Sequence, residues 1–246
     1  MSNAVTYTSL GNVAVITLNK PDRMNRLDAE IVDGLHFAWK RFMDADEGRV
    51  AVLAGNGPAF STGADLKAIP HDLYRAIPSI GVPVDKPVIC AVQGWCVGGA
   101  MVLTTMCDLL VAADNAKFSY PEVKIGFSGG LISNLASRIP HKIAMELLLT
   151  GEPITAQRAY EVGYVNKITP PEGVMKAAMS YAEGIAAHAP KPSRMLKRFT
   201  NEAMPKGPTE QAGIARVQVE AVNLSQDGKE GVAAFMEKRA PVFKDE

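Results

Sequence analysis

Apolar residues along this chain fall into two rhythms. Val13 to Leu18, Val50 to Leu53, Val88 to Val92 and Asp108 to Ala113 are short runs, apolar at nearly every position, as expected of strands covered on both faces. The first is bounded by the Gly11-Asn12 turn and by Pro21. Between these runs the spacing is helical. Asp28 is placed to cap a helix whose apolar side carries Ile31, Leu35, Phe37, Trp39 and Phe42. Gly98 to Met106 holds small and apolar residues and predicts a helix buried on all sides. Strand, helix and strand alternate through glycine-bearing connections, which predicts an α/β fold built from crossover units. From Pro140 onward helices dominate: Lys142 to Leu149, Ala156 to Val162, Glu172 to His188, Ser193 to Ala203, then a long C-terminal run. The expected division is a sheet-rich core over 1–190 and a helical region over 191–246. The apolar stripe of that region (Ile214, Val217, Val219, Val222, Leu224) needs a covering surface, which a partner subunit would supply.

Composition narrows the function classes. A chain of 246 residues buries a substantial core. Its 26 basic and 26 acidic residues cancel, so no strong field favours nucleic acid or an anionic membrane surface. The cysteines Cys90, Cys96 and Cys107 are odd in number and lie in apolar surroundings, the usage of reduced core thiols in a cytoplasmic protein. His36, His71, His141 and His188 are scattered without metal-ligand spacing, so no metal site is expected. No long apolar span and no basic-then-apolar N-terminus is present, and a soluble cytoplasmic protein is the expectation.

Two glycine turns carry the chemistry. In Gly63-Ala64-Asp65 the glycine permits a turn that a β-carbon would block and leaves the Ala64 N–H pointing into a cleft. Gly98-Gly99 at a helix start does the same, because the first amides of a helix lack internal partners and carry the positive end of its dipole. Each alone reads as an ordinary turn. Paired across a parallel sheet, they form an oxyanion hole, in which one donor is worth on the order of 3 kcal/mol of barrier. A single carboxylate follows downstream in Tyr120-Pro121-Glu122.

These stretches, together with Asn19-Lys-Pro-Asp-Arg-Met-Asn25, Phe60-Ser-Thr-Gly-Ala-Asp-Leu66, Lys86-Pro-Val-Ile-Cys-Ala-Val-Gln-Gly94, Cys107-Asp108, Glu146-Leu-Leu-Leu-Thr-Gly151 and Glu230-Gly-Val-Ala-Ala-Phe-Met-Glu-Lys-Arg239 followed by Pro241 and Phe243, resemble the motifs of the crotonase superfamily, the enoyl-CoA hydratase/isomerase family, in the right order along nearly the whole chain. The resemblance implies a crotonase-like spiral of β-β-α units with a C-terminal helical region, assembled as trimers that pair into hexamers. It implies an acyl-CoA thioester substrate whose carbonyl oxygen is held by the amides of Ala64 and Gly99, with coenzyme A as part of the substrate and no further cofactor. Family members bind the CoA portion along the loop Asp22 to Leu27 and the segment after Ala64, here Asp65, Leu66 and Lys67. Arg23 matches the usual basic position, facing phosphate or solvent. Arg26 stands where the family usually has alanine, adding a phosphate contact or lying in water. The ending, with Phe235, Arg239 and Phe243, is expected at a subunit contact.

Hydratases of this family divide general acid–base work between two glutamates. Glu122 matches the second. The first would fall three residues after Gly99, one helical turn on, and that residue is Val102, which cannot take a proton. A single carboxylate suits removing a proton from one carbon and returning it to another, as family isomerases do when they move a double bond from the 3 to the 2 position. Hydration by Glu122 alone or with water held by another group stays open, as does a non-catalytic acyl-CoA-binding member. Two further departures are expected to change the substrate. The stretch between Asp65 and Lys86 is short and loop-like, with His71, Asp72 and Tyr74 either facing solvent or supplying a replacement acid. Gly126 to Leu131 replaces a longer family loop.

Overall fold

In the computed structural model the protein is described over residues 3–46, 48–126, 130–206 and 208–244, with the side chains of 208–210 excepted. Phe127, Ser128 and Gly129 of the altered loop therefore lie outside the described residues.

Strands β1 (Val5–Leu10) and β2 (Val13–Leu18) form an antiparallel hairpin. Helix α1 (Ala29–Asp44) follows, capped by Asp28, whose carboxylate accepts from the Ile31 amide at 3.1 Å. Then come β3 (Val50–Gly55), β4 (Val88–Val92), β5 (Trp95–Val97), α2 (Gly99–Thr105), β6 (Leu109–Ala113) and β7 (Lys117–Ser119). Helix α3 (His141–Thr150), β8 (Ile154–Thr155), α4 (Ala156–Glu161), β9 (Lys167–Thr169) and α5 (Val174–Ala186) complete the sheet-bearing part. Helices α6 (Pro190–Ala203), α7 (Pro208–Leu224) and α8 (Gln226–Glu237) follow.

Two sheets result. The larger runs β1-β2-β3-β4-β6-β9, parallel except for the first hairpin, and the smaller runs β5-β7-β8. Side chains along the central strands alternate between two apolar cores, as a period of two demands. Ala51, Leu53, Cys90, Val92, Leu110 and Ala112 face the core shared with α1 and α2. Val50, Val52, Ile89, Ala91, Val111 and Ala113 face the one closed by Val174, Ala178 and Ala182 of α5. Both faces are thus covered, which is why these strands lack polar positions.

The structure corrects the sequence reading in helix α1 and in the strands, where β1, β5, β7, β8 and β9 add to the four runs expected. Phe37 is 60% exposed, and the buried side of α1 is Ile31, Val32, Leu35, Ala38, Trp39 and Phe42. Two residues from Leu35, Phe37 is turned by roughly 200° about the axis and lands on the outer face. Strand β1 is an additional edge strand whose Thr6, Thr8 and Ser9 break the apolar signal. In the C-terminal stripe Ile214 and Val217 are half-buried, while Val219, Val222 and Leu224 are exposed. Among the described residues no helix is long and apolar enough to cross a membrane.

Candidate active site

Three parallel segments end side by side. Ser61 bridges Cys96, and β5 pairs with β7 through Cys96 opposite Phe118 and Val97 opposite Ser119. The bonds that hold this register are Ser61 N to Trp95 O at 3.0 Å, Val97 N to Ser61 O at 3.1 Å and Gly98 N to Ser119 O at 2.9 Å. Three residues past Ser61 lies Ala64, three past Cys96 lies Gly99, and just beyond Ser119 lies Glu122. Carboxyl ends of parallel strands are where α/β proteins place their ligand crevices.

Local chemistry fixes each of the three positions. Gly63 has φ +82°, and a β-carbon there would lie 2.5 Å from Val97 O. Only glycine combines that backbone with that approach. Ala64 bridges Leu27, but the bonds are made by its neighbours: Gly63 O accepts from Leu27 N at 2.8 Å and Asp65 N donates to Leu27 O at 3.1 Å. The amide of Ala64 is consequently turned to the opposite side. Gly98, at φ 56° and ψ −119°, reverses the chain into α2 and leaves Gly99 as its first residue, where no intrahelical acceptor exists. Behind α2, the Tyr164 hydroxyl meets Thr104 Oγ1 at 2.7 Å, Thr105 Oγ1 at 2.9 Å and Met101 O at 3.2 Å, bracing the helix from within the core. Glu122 sits in the first turn of a short 3-10 helix started by Pro121, and is 8% exposed.

The loop before α1 is docked onto the same segment. Buried Asn25 accepts from Lys20 N at 2.8 Å and donates to Asn56 O at 2.8 Å and Ala59 O at 3.0 Å. Ser61 Oγ donates to Asn25 O at 2.7 Å and accepts from Gly63 N at 3.2 Å. One asparagine and one serine thus tie the expected CoA loop to the turn presenting Ala64. Lys20 bridges Asp28 at 2.6 Å and Glu30 at 2.5 Å. Burial opposes ionisation of Asp28, yet its bonds from Lys20 and from the Ile31 amide outweigh it and hold the carboxyl below its usual range.

Ala64, Gly99, Val102 and Glu122 line one cavity of about 390 Å³, a size within the range of about 300–1,000 Å³ usual for small-molecule sites. Its other walls are Ile69, Pro70, His71, Leu73 and Tyr74 from the short loop, Tyr120, Leu131, and Ala212, Gly213 and Arg216 of α7. Glu122 is the sole carboxylate among these described lining residues. Val102 is 2% exposed.

The remaining sequence-predicted residues are placed as follows. Arg26 Nε lies 3.4 Å from the Asp65 carboxylate, so its charge is engaged within the protein. Leu66 and Lys67 are exposed. Arg23 is exposed and, with Asn19, Lys20, Asp22 and Ala68, lines a neighbouring groove of about 590 Å³. Tyr74 is buried and reaches the cavity, a correction to the solvent-facing reading, because Leu73–Ala76 winds into a short 3-10 turn. His71 also lines the cavity from an exposed position, whereas Asp72 pairs with Arg75 at 2.9 Å. The contributions of α7 have no counterpart in the sequence reading. The adjacent small pair Ala212-Gly213 within a helix was the available signal.

Residues 8–246 match the family model for enoyl-CoA hydratase/isomerase. The chain belongs to that family. Among curated relatives, the (E)-benzylidenesuccinyl-CoA hydratase of Thauera aromatica is 36% identical, with 98% of each chain covered. The mitochondrial enoyl-CoA hydratase of Pongo abelii is 34% identical over 95% of this chain and 84% of its own. Among solved structures, an enoyl-CoA hydratase from Mycobacterium tuberculosis superposes with a TM-score of 0.77 at 34% identity over all of both chains. A carnitinyl-CoA hydratase from Mycobacterium avium gives 0.77 at 33%, again over all of both. This enoyl-CoA hydratase/isomerase family member is therefore an acyl-CoA-processing enzyme with the crotonase fold. A second cavity, of about 480 Å³, lies between β6 and α6 and contains none of Ala64, Gly99, Val102 and Glu122. Among its described lining residues the one carboxylate, Asp108, is held by Lys197 at 2.8 Å and by the Val88 amide at 2.7 Å.

Proposed function

We propose that this enzyme moves a carbon–carbon double bond in an enoyl-CoA thioester from the 3 to the 2 position. The thioester oxygen lies between the amides of Ala64 and Gly99. The Glu122 carboxylate removes a proton from the carbon next to the carbonyl, and the electron pair delocalises onto that oxygen as a dienolate. The two amides stabilise this charge in a site shielded from water, each worth about 3 kcal/mol of barrier. The glutamic acid so formed then returns its proton to the far end of the dienolate, so that proton and charge balance with no added water. Carrying this reading is the cavity wall itself: Glu122 is the only carboxylate on it among the described residues, and apolar Val102 occupies the place of a second. The CoA portion runs along the groove at Arg23 and over Asp65, Leu66 and Lys67, with Arg26 orienting Asp65. No metal and no cofactor beyond the CoA of the substrate takes part. The helical region from 191 onward serves contacts in a homotrimer or a hexamer of two trimers, and the enzyme works in the cytoplasm. Exposed Leu196, Phe199, Val222, Phe235 and Phe243 support the assembly reading, as exposed large apolar side chains are otherwise a liability.

Hydration is the second reading, supported by the names of the relatives and by His71 on the same wall, where an imidazole can position a water. Assaying 3-enoyl-CoA isomerisation beside 2-enoyl-CoA hydration decides between them. Isomerisation faster than hydration, and abolished in E122Q with thioester binding retained, is the expected result. Hydration that dominates and falls in H71A overturns the isomerase assignment. Silence in both assays with tight binding overturns catalysis by Glu122. Light scattering should give three or six times the 26.3 kDa chain mass, and a monomer would remove the assembly reading.

A further inference from the structure

The cavity that holds Glu122 carries one feature that a plain hydrocarbon chain does not need. Helix α7 crosses it with Ala212, Gly213 and Arg216, positions that share one helical face. Gly213 sets how near the helix comes, for a β-carbon there would lie 3.2 Å from Leu131 Cδ2 and 3.3 Å from Ile80 Cγ2. Arg216 is thereby brought over the Tyr74 ring, with 5.6 Å from guanidinium carbon to ring centroid. Among the described residues no carboxylate lies within ion-pair distance of Arg216. Glu220, one turn along the same helix, instead accepts the Tyr74 hydroxyl. That bond engages the carboxylate, and the Tyr74 phenol stands between it and Arg216, so no direct ion pair joins Arg216 to Glu220, and the guanidinium shares with Glu122 a wall otherwise formed largely by Ile69, Leu73, Val102 and Leu131.

Arg216 is exposed, and an exposed guanidinium is solvated. An acyl group filling the cavity would take water from around it, and a guanidinium with no carboxylate paired to it directly would make such binding costly. A carboxylate on the acyl chain meets the need, because the planar fork of arginine matches two carboxylate oxygens. We propose that Arg216 is a specificity residue and that this enzyme's substrates are acyl-CoA thioesters whose acyl group bears a carboxylate away from the thioester. This inference rests on the cavity being the acyl site, as proposed above.

The test uses two unreactive thioesters matched at five acyl carbons, glutaryl-CoA with a terminal carboxylate and pentanoyl-CoA with a methyl. Their dissociation constants are measured by calorimetry on the full chain. Wild type should prefer glutaryl-CoA, and R216L should lower the glutaryl-to-pentanoyl affinity ratio by on the order of tenfold to a hundredfold, the worth of one charge-assisted pair. A ratio near one in wild type, or a ratio unchanged in R216L, overturns the role of Arg216. An equal loss of both ligands in R216L also overturns it and makes the residue a contact to the CoA portion. A212W, projecting from an exposed helix position into the cavity, separates the two levels. It should weaken both ligands. If both bind A212W as they bind wild type, the acyl group lies elsewhere, and the assignment of the site fails with the inference.

Discussion

Replacing Gly63 with alanine tests the oxyanion geometry at its tightest point. The residue has φ +82°, a conformation that costs an L side chain about 1–2 kcal/mol. The added β-carbon would also lie 2.5 Å from Val97 O. Ordinary van der Waals contact begins near 3.4 Å, so the strand ends must separate by about 0.9 Å. Val97 O belongs to rigid backbone in β5, and most of that displacement passes to the 63–65 turn. A donor 2.9 Å from the thioester oxygen would recede to about 3.8 Å, beyond a hydrogen bond. Losing one such donor lowers kcat by about a hundredfold to a thousandfold. Stability should fall by only a few kcal/mol, or several degrees in Tm for a chain of this size. Gly11→Ala is the control: φ is +59°, nothing lies within 4 Å of the added carbon, and the residue turns the distant first hairpin. It should share the conformational loss and keep full kcat. The measurements are kcat on a 3-enoyl-CoA and melting by calorimetry. If G63A melts like G11A and turns over within about threefold of wild type, the Ala64 amide is not holding the reacting oxygen.

Val102→Glu should add the missing acid. Crotonyl-CoA hydration is expected to rise at least tenfold above wild type, since a positioned acid or base contributes about a hundredfold to ten-thousandfold, while Tm falls because an apolar wall now bears a carboxyl. No gain in hydration would mean that position 102 does not face the reacting carbons. The thiols of Cys90 and Cys96 should resist a disulfide reagent in the native protein. Both are fully buried, burial pushes both up, Cys96 to about 12, and only half-buried Cys107 should react before denaturant releases all three. Rapid native labelling of two or three thiols would contradict the packing around α2. Glu230 closes the C-terminal segment: it meets Arg239 Nη1 at 2.5 Å and Nη2 at 2.9 Å, and accepts from Val242 N at 2.9 Å. The Arg239 bonds, then the Val242 amide, hold its carboxyl down at about 2 against an ordinary 4.5. A lowered value in the folded state means the contribution is complete above 4.5, shrinks below it and is gone once pH has fallen through about 2. Protection of the Val242 amide from exchange should therefore persist at pH 4 and vanish near pH 2; loss already at pH 4 would refute the clamp.

How much of this could be read from residues alone depends on how far apart the partners lie. The central strands were legible because coverage on both faces leaves runs with no polar position, and such runs fit nowhere else as well as in the middle of a covered sheet. Strand β1 was not, since an edge strand half in water carries Thr6, Thr8 and Ser9 at no cost. Phe37 departs from the apolar pattern because angular position, not aromatic character, sets the buried face of α1: Ala38 points inward and Phe37 does not. Ala64, Gly99, Val102 and Glu122 were each marked by a local motif, yet no motif encodes their convergence. That follows from the register joining Ser61 to Cys96 and Cys96 to Phe118, which brings three distant turns to one edge. Arg216 was invisible for the same reason in stronger form, because α7 reaches the cavity across the fold and nothing near Arg216 in sequence names Tyr74 or Glu122. Its one local trace is Gly213. A glycine inside a helix sacrifices about 1 kcal/mol relative to alanine, and here a β-carbon would press on Leu131 Cδ2 at 3.2 Å and Ile80 Cγ2 at 3.3 Å. A helix on the wall of the cavity that holds Glu122 would shape what the proposed site accepts, so within one catalytic frame the substrate would be chosen by the part of the chain whose motifs say least.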